Sequence, residues 1–90
     1  MKRKSKFQIA SEQLLNGDFD KVVFFYDGDV TWNGYWSSTQ VSDDPDYLCE
    51  FSRVQHYDWS VDSLAERMER VVNETIEDND RLNQAACNMA

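Results

Sequence analysis

The sequence predicts an α+β domain in which helices cover one face of a three-stranded antiparallel sheet, in the order α-β-β-β-α. Two observations favour this class: amphipathic helical patterns occupy both ends of the chain, and short runs of β-branched and aromatic residues lie between them. A length of 90 residues allows one domain, and a hydrophobic content of 41% is enough for a core. We therefore expect residues 1–90 to form a single folded domain.

The first helix is predicted over residues 6–16. Ser5 followed by Gln8 fits a capping box, and apolar residues then recur at helical spacing. The helix should stop at Asn16-Gly17, because glycine accepts the left-handed conformation that ends many helices. Residues 1–5 are predicted to be a flexible basic stub, without the apolar stretch of a signal peptide.

Three strands should follow. Residues 21–26 form the first, and Asp27-Gly28 predicts a tight type I′ hairpin into a second strand over residues 30–39. The loop 42–46 contains the only proline, and a third strand is predicted from Tyr47 to about Tyr57. Alternation within the second strand places Trp32 and Trp36 on one face and Tyr35 on the other.

The last helix is predicted to begin after Ser60, and its apolar residues fall on one broad face that packs on the sheet. Asn79-Asp80 is a candidate break or kink. Residues 81–90 suit either a short extra helix or a frayed tail, and the pattern does not choose between them.

Charge is the most informative property of the chain. The formal net charge is −8, but residues 18–80 contain sixteen acidic and only four basic residues, a net charge of −12. Such a surface repels nucleic-acid phosphates and anionic membranes, and it attracts basic protein surfaces. We therefore expect a cytoplasmic protein that binds neither nucleic acid nor membrane directly, and whose partner is a protein with a basic, nucleic-acid-binding surface.

Enzymatic and metal-binding patterns are incomplete. Asp27 and Asp29 after an apolar strand match the D-x-D pattern of haloacid-dehalogenase phosphotransferases, but too little chain remains for that fold, and a hairpin explains the same residues. The calcium-loop pattern that starts at Asp29 lacks its final glutamate, where Gln40 stands. His56 has no partnered nucleophile, and Cys49 and Cys87 lack zinc-site spacing. We expect no enzyme, no metal and no cofactor.

Two surfaces are candidates for partner binding. The first is acidic, with a stripe along one side of the last helix and a cluster in the loop before the third strand. The predicted contacts are Asp62, Glu66, Glu69 and Glu77 of the stripe, with Asn73 and Asp80 on the same side, and Asp43, Asp44 and Asp46 of the loop.

The second candidate surface is aromatic. Helices on one face of a three-stranded sheet leave the other face open, and the chain has more large aromatics than its core needs. Tyrosine and tryptophan within an acidic rim are typical of protein-binding hot spots. The predicted contacts are Trp32, Tyr35 and Trp36, with Tyr47, Tyr57 and Trp59 as further aromatics of which some should be exposed.

In size, layout and acidity the chain resembles some phage anti-CRISPR proteins, which place carboxylates where a CRISPR effector binds DNA phosphates. The resemblance implies an inhibitor, encoded by a phage or mobile element, that acts in the host cytoplasm. Whether it is a monomer or a homodimer is left open by the sequence. The layout is also that of double-stranded RNA-binding domains, but those need a basic last helix. The alternative is an adaptor or regulatory module that binds a protein through the aromatic sheet face.

Overall fold

The computed structural model describes residues 4–88, with side chains described for residues 4–79. It confirms the predicted α+β class and the order of its main elements. One short helix joins those that the sequence predicts. The elements are α1 (Lys6–Asn16), β1 (Lys21–Tyr26), β2 (Val30–Tyr35), β3 (Tyr47–Ser52), α2 (Arg53–His56) and α3 (Val61–Asn88).

Helix α1 begins and ends where its sequence predicts. The Ser5 hydroxyl accepts a hydrogen bond from the Gln8 backbone N–H, and the Gln8 side chain accepts one from the Ser5 N–H, which completes the capping box. Gly17 closes the helix in the left-handed conformation at φ 88°. Lys4, within the predicted stub, pairs with Glu12 at 2.6 Å, while residues 1–3 lie outside the described part of the chain.

The sheet has the strand order β2-β1-β3, with both pairs antiparallel. Cross-strand partners share a face, so Val22 and Phe24 of β1 and Phe51 of β3 lie together on the face that packs against the helices. Leu14 of α1 and Leu64, Met68 and Val72 of α3 complete this core. The helical layer therefore covers one face, as predicted.

The hairpin differs from its prediction. Tyr26 pairs with Val30, so the loop has three residues, and only Gly28 has a positive φ, at 77°. A type I′ turn requires positive φ at both central residues, and Asp27 does not adopt it. The prediction of a two-residue type I′ turn was therefore wrong, because the third loop residue relieves Asp27 of the left-handed conformation that a residue with a Cβ disfavours.

Strands β2 and β3 are shorter than predicted, and both end near Asp20. After Tyr35 the chain turns, because Ser37 hydrogen-bonds to the Asp20 carboxylate and can no longer continue the ladder. After Ser52 the Arg53 N–H donates to the Asp20 carbonyl oxygen at 2.8 Å, and the chain forms the single-turn helix α2. The prediction that β3 extends to Tyr57 was therefore wrong, because residues 53–56 are helical and Tyr57 caps the end of this helix.

Helix α3 is one continuous helix from Val61 to Asn88 and passes through Asn79-Asp80 without a break. The Ser60 hydroxyl accepts from the Ser63 N–H and caps its first turn, as predicted. Residues 81–88 thus continue α3, and residues 89–90 lie outside the description.

The second face of the sheet is not open at its centre, contrary to the prediction. Val23 points away from the helices yet is fully buried. The chain between β2 and β3 returns across this face, where the Lys21 ammonium donates to the Thr39 carbonyl oxygen at 2.6 Å. A polar cavity of about 300 Å³ remains, lined by Lys21, Glu50 and residues 37–42.

Candidate functional site

The acidic stripe is on the solvent side of α3. One side of α3 packs into the core through Leu64, Met68 and Val72. The opposite side of the helix is therefore exposed to water. All four predicted contacts in the stripe are exposed. They are Asp62, Glu66, Glu69 and Glu77. Asn73 is also exposed, and the side chain of Asp80 lies outside the described part.

The stripe carboxylates have no cationic partner among the side chains of residues 4–79. The ion pairs recorded there join Lys4 to Glu12 and Lys21 to Glu50. Arg67 shares the helix with the stripe, but its guanidinium lies 6.0 Å from the centre of the Trp59 ring. Arg70 lies on the same helix four residues after Glu66 but forms no salt bridge with it in the described part. The first turns of α3 therefore present carboxylates outside any recorded salt bridge to a partner.

The stripe borders a groove beside the start of α1. Asp62, Glu66 and Glu69 line one wall of this groove, which has a volume of about 430 Å³, and Ser5 and Gln8 line the other. Because the capping box already occupies the Ser5 and Gln8 backbone N–H groups, the carboxylates dominate the charge of the groove. A cationic side chain such as lysine or arginine suits it.

The acidic loop is a separate surface. Its conformation is held by local hydrogen bonds, since Asp44 Oδ1 accepts from the Asp46 N–H at 2.8 Å, and the Asp46 carbonyl accepts from Tyr26. Asp43 and Asp44 are exposed and Asp46 is half-buried. The segment that carries them crosses the sheet face opposite the helices, so the structure does not bring the loop together with the α3 stripe.

The three predicted aromatic contacts do not form one surface either. Trp32 is half-buried against the core and packs on Phe19, with ring centres 6.1 Å apart. Tyr35 lies on the opposite sheet face against Phe25, at 6.5 Å. Trp36 falls beyond the end of β2 and is 58% exposed, which makes it the one of the three that is well placed to meet a partner.

Helix α2 and the residue after it expose two large hydrophobic side chains that were not among the predicted contacts. Val54 is 77% exposed and Tyr57 is 75% exposed, and together with Arg53 they line a groove of about 320 Å³ that we call the α2 groove. Trp59, which follows, is partly exposed. The prediction that some of the large aromatics are exposed is thus confirmed for Trp36, Tyr57 and Trp59. Val54 was missed because a strand was predicted there.

His56 explains the orientation of α2. Its imidazole is buried, its Nδ1–H donates to the Ser52 carbonyl oxygen at 2.8 Å, and its ring packs between Phe51 and Trp59. In a single helical turn, an inward His56 forces Val54 and Tyr57 outward, since these two lie three residues apart on one side. His56 therefore has a structural role in orienting α2.

Two titratable side chains of β3 have pKa values that their surroundings raise. Burial raises the pKa of Cys49 to about 11, which makes it a weak nucleophile near neutral pH. Burial also raises the pKa of Tyr47, and the neighbouring Glu50 carboxylate adds to this effect. Within the part of the chain whose side chains are described, no group of three His, Cys, Asp or Glu residues is arranged to hold a metal ion.

Comparisons with protein-family models, curated sequences and solved structures find no match to this chain. None of the helices that the structure describes is long and apolar enough to cross a membrane. The candidate sites therefore rest on geometry and charge alone.

Proposed function

We propose that this protein binds the basic, nucleic-acid-binding surface of another protein and blocks it, with the α3 stripe in place of phosphates. The observation that carries this proposal is the row of exposed carboxylates along the first turns of α3, none of which forms a salt bridge recorded among residues 4–79. Neighbours three and four residues apart on a helix have Cβ atoms about 5–6 Å apart. A nucleic acid strand has one phosphate per about 3.4 Å of axial rise, so the two charge densities are comparable.

The target class we propose is a nucleic-acid-handling protein of a host defence system. The small size, the layout and the net charge of −12 over residues 18–80 support an inhibitor of the anti-CRISPR type, encoded by a phage or mobile element. An inhibitor of this kind needs no catalytic group. It needs a rigid acidic surface, and α3 supplies one because its opposite side is anchored in the core.

Capture from a bacterial lysate with immobilised protein tests the proposal. The bound fraction is eluted with a short DNA duplex at constant salt and identified by mass spectrometry. We expect a nucleic-acid-binding protein that the duplex displaces and that is lost at high salt, since interactions between exposed charges are screened. The variant Asp62→Asn/Glu66→Gln/Glu69→Gln should not retain it.

The matched control removes three exposed charges elsewhere, in Asp18→Asn/Asp27→Asn/Asp29→Asn. Both variants have the same net charge, so only the stripe variant should lose the captured protein. Equal loss in both would show that overall charge, and not the stripe, drives binding. Capture that ignores the duplex, the salt and both variants would contradict the proposed function.

A further inference from the structure

The chain contains two Asn-Gly pairs, Asn16-Gly17 and Asn33-Gly34, and the fold places them in different settings. In such a pair the glycine nitrogen can attack the side-chain amide of the asparagine, because glycine has no Cβ to hinder the approach. Whether the attack occurs in the folded protein depends on where this nitrogen points and on what holds it. The two pairs therefore compare one reaction in two environments.

The Asn33-Gly34 pair lies on an edge of the sheet. β2 is an edge strand, so alternate backbone N–H and C=O groups point away from β1. Val30 shows this outward direction, since its N–H donates to Asp29 Oδ1 and its carbonyl oxygen accepts from the Lys6 ammonium. Gly34 lies four residues later on the same strand and has the same direction. Its N–H donates to a side chain, that of Asn33.

The Gly34 nitrogen and the Asn33 side-chain amide are in contact. The nitrogen lies 3.1 Å from Asn33 Oδ1, and the carbon that it would attack, Cγ, is bonded to this oxygen. Reacting groups that are held about 3–3.5 Å apart are close to the geometry of attack. Asn33 is exposed, so water and hydroxide can reach the pair. The hydrogen bond thus keeps nucleophile and electrophile side by side at the surface.

The Asn16-Gly17 pair is held by helix α1. Asn16 is exposed as well, so access to water does not distinguish the two pairs. The Gly17 N–H, however, donates to the carbonyl oxygens of Gln13 and Leu14 at the end of the helix. The nitrogen must leave both acceptors before it can attack Asn16 Cγ, and this local opening lowers the population that can react.

We infer that Asn33 is a self-modification site, at which the Gly34 nitrogen converts the side-chain amide to aspartate and isoaspartate. Base removes the Gly34 amide proton, and the nitrogen forms a bond to Asn33 Cγ. The bond from Cγ to Nδ2 breaks, and the nitrogen leaves as ammonia after taking a proton from water. Water then adds to either carbonyl of the resulting succinimide ring and opens it. The reaction involves no oxidation or reduction, and it does not depend on the proposed partner.

The two products have different effects on β2. Aspartate keeps an oxygen in the place of Asn33 Oδ1, so the hydrogen bond from the Gly34 N–H can persist. Isoaspartate directs the backbone through Cγ and lengthens it by one methylene group. This change displaces Gly34 and Tyr35 from their β1 partners, Val22 and Lys21. Conversion of Asn33 therefore adds a carboxylate in both products and disturbs the strand in one of them.

Timed incubation of the folded protein at mildly alkaline pH tests the inference. Peptide mapping by mass spectrometry follows the replacement of the side-chain NH₂ by OH at each asparagine. We expect Asn33 to be converted at least about tenfold faster than Asn16, because two hydrogen bonds hold the Gly17 nitrogen. In denaturant the two rates should become similar, since both residues then belong to unstructured Asn-Gly pairs.

Asn33→Gln removes the site, because the longer glutamine side chain closes a ring far less readily, and Asn16→Gln is the matched control. Asn33→Gln should stop the main conversion, and Asn16→Gln should leave its rate unchanged. Incubation in water enriched in heavy oxygen should label the product at Asn33, since ring opening takes its oxygen from water. Equal rates at Asn33 and Asn16 in the folded protein, faster conversion of Asn16, or a rate ratio that is the same in denaturant would each overturn the inference.

Discussion

The Oδ2 atom of Asp20 accepts two hydrogen bonds from Ser37, one from its backbone N–H and one from its hydroxyl, both 2.9 Å long. Through its backbone, Asp20 also accepts from Arg53 and donates to Tyr35. A single residue before β1 therefore joins the end of β2 to the start of α2. Trp36 and Val54, two of the most exposed apolar residues, are each adjacent to one of these contacts.

Asp20 should make the stability of the fold depend on pH in the acidic range. The hydrogen bonds from the Ser37 N–H and hydroxyl outweigh partial burial and, with help from Arg53, hold the pKa of Asp20 below its ordinary value of 3.8. A carboxyl with a lowered folded-state pKa stabilises the fold above pH 3.8, and this contribution is lost as the pH falls through the folded-state pKa.

We therefore expect Asp20→Asn to unfold at a lower temperature than the parent near neutral pH, and the difference to narrow below pH 3.8. Thermal unfolding followed by circular dichroism over a pH series measures it. Asp27→Asn is the control, because no hydrogen bond to the Asp27 carboxylate is recorded among the described residues. If the difference in unfolding temperature between Asp20→Asn and the parent stays constant with pH, Asp20 does not have this role.

Gly34 should not tolerate any side chain. Its would-be Cβ overlaps the ring of Phe19, which packs across the strand against Trp32. We expect Gly34→Ala to destabilise the fold by at least about 1–3 kcal/mol in chemical denaturation, the usual cost of overpacking. In a protein that already carries Phe19→Ala, the further change Gly34→Ala should cost less stability than it does in the parent, because the ring that it would overlap is absent. Equal costs in the two backgrounds would show that the two residues do not clash.

Replacement of Trp32 by alanine should destabilise the fold much more than replacement of Trp36. Complete burial of a tryptophan makes its replacement by alanine cost about 3–5 kcal/mol of stability. Trp32 is half-buried against the core, so Trp32→Ala should cost a large part of this amount. Trp36 is 58% exposed, and Trp36→Ala should change stability by no more than about 0.5 kcal/mol. Urea denaturation compares the two, and equal losses would mean that Trp36 packs more closely than its exposure indicates.

Cys49 should react slowly in the folded protein. Burial raises its pKa from 9.0 to about 11, which lowers its thiolate fraction near pH 8 by about a hundredfold. We expect alkylation by iodoacetamide to be slow in the native state and fast in denaturant, measured by mass spectrometry on Cys87→Ser so that one thiol remains. Fast labelling of the native protein would show that Cys49 is accessible as a thiolate.

Glu66 should reduce the stability of α3. It lies four residues after Asp62 and three before Glu69, and like charges at these spacings destabilise a helix by about 0.2–0.5 kcal/mol per pair. Arg70, four residues after Glu66, is one opposite charge against these two like charges, and no salt bridge between Arg70 and Glu66 is recorded within residues 4–79. Glu66→Gln should therefore raise the free energy of unfolding slightly, and added salt should shrink the gain. A loss of stability would indicate that Glu66 has a folding role in addition to the binding role we propose.

The sequence alone was sufficient to predict helix α1, the start of helix α3 and the first strand. Ser5, Gln8 and Gly17 are local signals, because capping depends on residues within one turn, and the 3.6-residue period of Leu64, Met68 and Val72 is likewise contained in the helix itself. The exposure of Asp62 and Glu66 follows from the same period. Charge and periodicity therefore predicted the position of the acidic stripe before any tertiary contact was known.

The tertiary structure decided where β2 and β3 end and which apolar residues reach the surface. Those ends depend on Asp20, which lies 17 residues before Ser37 and meets it only when the sheet forms. The rotation of α2 depends on the burial of His56 between Phe51 and Trp59. The pattern around Val54 suits a strand as well as a helix, and long-range hydrogen bonds and packing made the choice, because local preference at that point was too weak to decide it.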